Sequence, residues 1–102
     1  MSLTNDINRK LSGTQVYRIA DVLQTKNGNI YVLLNLELGS EWSTQIVKFD
    51  AQGNYIADKI LPMGRYAQGL VEAENNNFII VQDYSANNSI TLLKMNPELN
   101  NL

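Results

Sequence analysis

The stretches "TKNGNIYVLL" (residues 25–34) and "AENNNFIIVQ" (residues 73–82) have the same form, a polar turn followed by an apolar run. Their residue numbers differ by 48 in a chain of 102 residues. β-Branched and aromatic residues fill both runs, which favours strands. Both runs are continuously apolar and do not alternate with polar residues, a pattern typical of strands buried on both faces.

The similarity extends on either side of these stretches. Val22-Leu23 meets Leu70-Val71 at the same spacing, and "IVKFDAQGN" (46–54) meets "LLKMNPELN" (92–100) at a spacing of 46. "IADKIL" (56–61) also resembles "INRKL" (7–11). Aligned blocks in the same order predict a repeated unit, with coincidence among similar β-rich segments as the alternative. Lys48 and Lys94 are equivalent in this alignment, and we expect both charges to face water.

Each unit predicts short strands joined by tight turns. Asn27-Gly28 suits a hairpin turn that needs a positive φ. Asp50 begins a longer connection in which Gly53 accepts the left-handed conformation. No segment has a sustained helical period, and the predicted strands cover residues 16–24, 29–36, 43–49, 54–61, 67–73, 77–84 and 89–95.

Strands that are buried on both faces require sheets stacked face to face, and β-propeller blades are stacked in this way. The predicted fold is therefore all-β, with two β-propeller-like four-stranded antiparallel blades, the second completed by an N-terminal strand. The predicted boundaries are 1–12 for the trailing strand of a preceding unit, 13–62 for the first blade and 63–102 for an incomplete second blade. A small β-sandwich or meander unrelated to propellers is the alternative.

The motifs "QTKNGNIYV" (24–32) and "VKFDAQGN" (47–54) resemble the propeller-forming β-repeats of large bacterial surface and secreted proteins. Those repeats typically carry a Gln-Thr-x-Asp-Gly-Gly-aromatic-Ile-Val stretch, followed by an Ile-Lys-Leu-Asp-x-x-Gly-Asn stretch. The resemblance covers nearly the whole chain and implies a fold and an extracellular or cell-surface location, but no catalytic residue. The second unit departs from the pattern, because Asn76 replaces the turn glycine and Leu99 occupies the position of Gly53.

Composition argues against several classes of function. The net charge is −2 and the basic residues are scattered, which predicts no nucleic-acid partner. No apolar stretch approaches 20 residues, so no membrane span is predicted. Histidine and cysteine are absent, which removes the commonest general base, the commonest metal ligand and the thiolate nucleophile. We therefore expect no metal, no cofactor and no catalytic residues.

Loops of a four-stranded blade emerge alternately at its two ends, and one end carries the ligand site in many propellers. Aromatic and arginine side chains are predicted to lie at that end, where they could stack on sugar rings and bind anionic groups. The predicted ligand-binding residues are Tyr17, Arg18, Trp42, Arg65, Tyr66 and Tyr84. The alternative is that the tyrosines pack between blades and the arginines are solvated.

Other patterns offer weaker chemistry. Glu37, Glu41 and Asp83 could supply a carboxylate pair for glycoside hydrolysis, although solvated loop charges are commoner. Arg9, Arg18 and Arg65 suggest a sialidase-like cluster, but the repeats shared by those enzymes are missing. Asp50 superficially resembles the start of a calcium loop and is better interpreted as a turn cap.

The leading hypothesis is a non-enzymatic structural or binding module made of propeller-type repeats. The second hypothesis is a lectin-like or carbohydrate-active fragment, so the possible ligands are a protein or a glycan. Two blades leave apolar faces open, which predicts self-association. The predicted route pairs residues 3–11 of one copy beside residues 89–95 of another.

Overall fold

The computed structural model describes residues 16–38, 41–61, 65–84 and 89–102, and its architecture is all-β, as predicted. A meander with the order β1-β2-β3-β4 forms one sheet, and β5-β6-β7 forms a second. All pairs are antiparallel. The strands are β1 (Val16–Gln24), β2 (Ile30–Leu38), β3 (Glu41–Phe49), β4 (Tyr55–Ile60), β5 (Tyr66–Glu72), β6 (Phe78–Tyr84) and β7 (Ser89–Met95).

The hairpin between β2 and β3 is longer than predicted. Glu37 pairs with Trp42 and Leu38 pairs with Glu41, so the ladder continues where polar residues had suggested a loop. Exposed Glu37 is compatible with a strand, because the side chain can face solvent while the backbone stays paired.

The two sheets have the same pairing pattern. Tyr31 pairs with Lys48 in the first sheet, and Ile79 pairs with Lys94 in the second. The β1–β2 register shifts around Ala20, and the β5–β6 register shifts around Gln68, 48 residues later. Bulges are specific local features of a strand, so a bulge at the same position strengthens the correspondence between the sheets.

The tight turns adopt the predicted left-handed conformations. Gly28 has a φ of 95° and Gly53 a φ of 88°. Where the second unit departs from glycine, Asn76 (φ 61°) and Leu99 (φ 64°) adopt the same region. The surrounding backbone therefore overrides the usual reluctance of a leucine to take a positive φ.

The principal core lies between the two sheets. Tyr31, Leu33 and Ile46 project from the first sheet onto Phe78 and Ile80 of the second. The rings of Tyr31 and Phe78 are tilted, with their centroids 4.2 Å apart. The buried members of this cluster are Tyr31, Leu33, Ile46, Leu61, Ala67, Leu70, Phe78, Ile80, Met95 and Leu99.

The sheets stack in the same sense, so that equivalent sides face the same direction. Tyr31 and Leu33 face the second sheet, while their equivalents Ile79 and Val81 lie on the far side of that sheet. In the same way, Ile80 faces the first sheet, and its equivalent Val32 lies on the far side of the first sheet. The packing of one sheet on the other is therefore a step that a further unit of the same kind could repeat.

The two far sides differ in exposure. At the centre of the far side of the first sheet, Val32, Leu34, Val47 and Phe49 form a second buried cluster, while Val22 and Ile60 at its borders are about half exposed. The far side of the second sheet is exposed at several large apolar side chains. We call this surface the open face, and define it by Val71, Ile79, Val81, Ile90 and Leu92 together with Asp83 and Lys94.

The second sheet has three strands in the described part of the chain, and residues 101–102 pair with β7 where a fourth strand would lie. Asn101 bridges to Met95, and Leu102 N–H donates to the Lys94 carbonyl at 2.9 Å. The N-terminal strand that was predicted to complete this sheet falls in residues 3–11, outside the described residues. No helix in the described ranges is long and apolar enough to cross a membrane.

Candidate functional site

The two ends of the stacked sheets have different chemistry. One end holds the tight turns 25–29, 50–54, 73–77 and 96–100. Because successive strands are antiparallel, β1, β3, β5 and β7 all start at the other end. The residues predicted to bind a ligand belong to this second end: Tyr17, Arg18, Trp42, Arg65, Tyr66 and Tyr84.

Trp42 and Tyr66 meet across the two sheets. Trp42 is the second residue of β3, and Tyr66 is the first residue of β5. Their ring centroids are 5.1 Å apart and the ring planes cross at 80°, an edge-to-face geometry that aromatic pairs prefer. Both side chains are half-buried, so they contribute to packing between the sheets and still present a surface to solvent.

Arg65 is held by its own sheet. Its Nη1 donates to Thr91 Oγ1 at 3.1 Å, and its guanidinium carbon lies 4.6 Å from the centroid of the Tyr84 ring. This cation–π contact and the hydrogen bond fix both Arg65 and Tyr84 against β7. The pair therefore fits a structural role better than the anion-binding role predicted from sequence.

Arg18 has a different environment. Its side chain is exposed and lines a cleft of about 290 Å³ between β1 and β5. Tyr66 and Gln68 line the same cleft. An exposed guanidinium beside a tyrosine and an amide can bind a polar or anionic ligand through directed hydrogen bonds. Tyr17 pairs with Leu36 in the β1–β2 register, and the prediction for its side chain falls outside the described part of the chain.

Sequence reasoning missed the residue that shapes the floor of this cleft. Asn35 Oδ1 accepts from the Ala67 N–H at 2.6 Å, and Asn35 Nδ2 donates to the Ala67 carbonyl at 3.0 Å. Asn35 is 1% exposed, and both of its polar groups are used by the edge of β5. The sequence signal was present, because a lone amide interrupts the apolar run of residues 30–36.

A carboxylate also binds the edge of β5. The bulge around Ala20 precedes Asp21, whose Oδ2 accepts from the Leu70 N–H at 2.8 Å. A buried or half-buried backbone N–H needs a partner, and these side chains supply one where strand pairing does not. Asp21 and Asn35 thereby position β5, and with it Tyr66, the first residue of this strand.

The weaker candidate chemistries receive no support from the geometry. Glu37 and Glu41 lie on strands, in a hairpin ladder and not in a loop. Asp50 caps its turn as predicted, because its Oδ1 accepts from the N–H groups of Gln52 and Asn54, both at 2.9 Å. Within residues 16–38, 41–61, 65–84 and 89–102, no group of three or more acidic side chains is placed to hold a metal ion.

Comparisons with known proteins do not indicate a family or a function for this chain. No family model matches the sequence, no curated protein matches it, and no solved structure matches the fold.

Proposed function

We propose that the chain is a non-enzymatic structural or binding module built of β-propeller-type repeat units. The observation that carries this proposal is the stacking of two sheets in the same sense, with an equivalent register, bulge and pair of turns, at a spacing of 48 residues up to the second strand of each sheet and 46 after it. Units of this kind cannot bury their apolar faces alone, and they gain stability by stacking on a neighbour. The stack then serves as a rigid support for the loops at its end.

Unfolding with two probes tests whether the sheets act as one stacked unit. Trp42 is the only tryptophan, lies in β3 of the first sheet and packs against Tyr66 of the second, so its fluorescence reports on the first sheet and on its contact with the second. We expect Ile80→Ala, in the second sheet, to lower the denaturant midpoint seen by Trp42 as much as the midpoint seen by circular dichroism. Gln68→Ala, at an exposed position of β5, is the control and leaves both midpoints in place. If Ile80→Ala left the midpoint seen by Trp42 unchanged while the midpoint seen by circular dichroism fell, the sheets would unfold separately and the proposal would be contradicted.

A second candidate function is carbohydrate binding at the cleft between β1 and β5. The observation that favours it is the exposed Arg18 beside the Trp42–Tyr66 pair, which together offer a cation and an aromatic surface at one end of the stack. Sugar rings stack on aromatic side chains, and arginine binds sugar hydroxyl or carboxylate oxygens through its fork of N–H groups.

A glycan array tests this second function. Reproducible binding that falls at least about tenfold in Arg18→Ala would support it. Lys26→Ala is the matched control, because it removes an exposed positive charge from the opposite end of the stack. Binding that is equally lost in both variants would indicate non-specific charge attraction, and the absence of any binding would exclude the glycans on the array.

A further inference from the structure

The turn at residues 25–29 contains the only Asn-Gly pair of the chain, Asn27-Gly28. The backbone nitrogen that follows an asparagine can attack its side chain, and a glycine favours the attack because it has no Cβ to obstruct a close approach. Asn27 is exposed, so water reaches it. The equivalent pairs of the other three turns, none of which joins an asparagine to a glycine, are Gln52-Gly53, Asn75-Asn76 and Glu98-Leu99.

The reaction that this pair favours is deamidation through a cyclic imide. The Gly28 nitrogen loses its proton and forms a bond to Asn27 Cγ, the Cγ–Nδ2 bond breaks, and ammonia leaves with that proton. Water then opens the imide at one of its two carbonyl groups. Opening at one carbonyl leaves an aspartate at position 27, and opening at the other leaves an isoaspartate, whose backbone is one methylene longer. Water is the sole co-reactant.

The folded turn restrains both reacting groups. The Gly28 N–H donates to the Thr25 carbonyl at 2.9 Å, which holds the proton that the nitrogen must lose. Asn27 Oδ1 accepts from the Thr25 hydroxyl at 2.6 Å and from the Asn29 N–H at 3.2 Å, which holds the side chain in one orientation. The attack on Cγ requires these hydrogen bonds to break, so the reaction must begin from an opened turn.

The same turn contacts the second sheet. The Lys26 N–H donates to Glu72 Oε2 at 2.9 Å, and the Asn27 N–H donates to Asn76 Oδ1 at 3.1 Å. An isoaspartate inserts a methylene inside the turn that directs these N–H groups, so it disturbs the contact between the sheets. An aspartate keeps the backbone length and still offers an oxygen to Thr25 and Asn29.

We propose that Asn27 is a site of spontaneous deamidation, that local opening of the 25–29 turn controls its rate, and that the isoaspartate product weakens the stack. The contacts of Thr25 protect Asn27, and they belong to the turn and not to the core. This inference goes beyond the proposed function, because it concerns a covalent change within the chain.

Peptide mapping by mass spectrometry, after the full chain is incubated at mildly alkaline pH, measures the conversion of each asparagine. We expect Asn27 to convert faster than every other asparagine, and faster still when the chain is denatured in urea. Thr25→Val removes the hydroxyl and keeps the shape of a 3% exposed side chain, so Asn27 should convert at least about threefold faster. Ile80→Ala is the matched control: it destabilises the core and leaves the rate at Asn27 unchanged, because the turn opens locally.

Three results would overturn parts of the proposal. If Asn27 does not convert while the denatured chain does, the site is not modified in the folded protein. A rate that is unchanged in Thr25→Val removes the protective role of the hydroxyl, and a rate raised in Ile80→Ala shows that the whole stack must unfold first. Circular dichroism verifies that each variant stays folded.

Urea unfolding of the separated products tests the consequence for the stack. The isoaspartate fraction should unfold at a lower urea concentration than the unmodified chain, whereas Asn27→Asp, which adds the charge without lengthening the backbone, should keep the wild-type midpoint. An isoaspartate fraction with the wild-type midpoint overturns the effect on the stack. Each of these failures leaves the stacked module intact, because that proposal is tested by two-probe unfolding of the unmodified chain.

Discussion

At the scale of single residues, Asp50 and Asn96 cap equivalent turns, one with a carboxylate and the other with an amide. Each begins a turn and uses its Oδ1 to accept two backbone N–H groups, from Gln52 and Asn54 in one case and from Glu98 and Asn100 in the other. Only Asp50 can titrate. Its hydrogen bonds, first that from the Asn54 backbone, hold the pKa of the Asp50 carboxyl below its ordinary value.

The substitution Asp50→Asn should therefore remove a pH dependence without removing the turn. A carboxyl whose pKa is lowered by folding stabilises the protein at a pH above the unfolded-state value of about 4 and loses this contribution as the pH falls through the folded-state value. The wild-type chain should lose stability over that acidic window more steeply than Asp50→Asn does. Urea unfolding at a series of pH values measures the difference, and parallel pH profiles for the two proteins would contradict the prediction.

At the scale of elements, β2 explains why the repeat is apolar without alternation. Tyr31 and Leu33 enter the core between the sheets, while Val32 and Leu34 enter the cluster on the far side. All four are at most 1% exposed. A strand that is buried on both faces must be apolar at successive positions, and that is the pattern of residues 30–34.

Truncation of equivalent second-strand residues should be costly in both sheets. We expect Val32→Ala and Ile80→Ala each to lower the free energy of unfolding by about 2–4 kcal/mol, because each leaves a cavity at a fully buried site. Val22→Ala is a matched control, since Val22 pairs directly with Val32 but is 49% exposed, and it should cost less than about 1 kcal/mol. Denaturant unfolding measures all three, and losses below about 0.5 kcal/mol at both buried sites would mean that the two-sided burial is wrong.

At the scale of the whole molecule, polar contacts between the sheets decide how they align. Asn35 and Asp21 bind backbone groups on the edge of β5, and Gln82 Nε2 donates to Thr44 Oγ1 at 3.0 Å. Lys48 Nζ donates to the Pro97 carbonyl at 2.6 Å, so the expectation that Lys48 directs its charge to water was wrong. These contacts are directional, whereas the apolar core is not, and they select one lateral position of the sheets.

Loss of the Asn35 side chain should destabilise the stack more than its size suggests. Asn35→Ala leaves the buried N–H and carbonyl of Ala67 without their partner, and we expect a loss of about 2–4 kcal/mol. Gln68→Ala, at an exposed amide next to Ala67 in the chain, should change stability by less than about 0.5 kcal/mol. Thermal and urea unfolding compare the two variants. Equal stability of the two would show that the side-chain contact to β5 contributes nothing.

The sequence by itself determined the class of fold, most strand bounds and the positions of the turns, because each depends on residues that are close together in the chain. Gly28 and Gly53 predicted the positions of their turns, and β1 and β7 begin and end as predicted. The tertiary structure alone decided which residues meet across the stack. The contacts between Trp42 and Tyr66, between Asn35 and Ala67, and between Lys48 and Pro97 join residues far apart in sequence, and no local pattern encodes such pairs. Leu99 is a further case that the tertiary structure decided. A leucine disfavours a positive φ, yet Leu99 adopts one in its turn, and its side chain is buried in the core between the sheets.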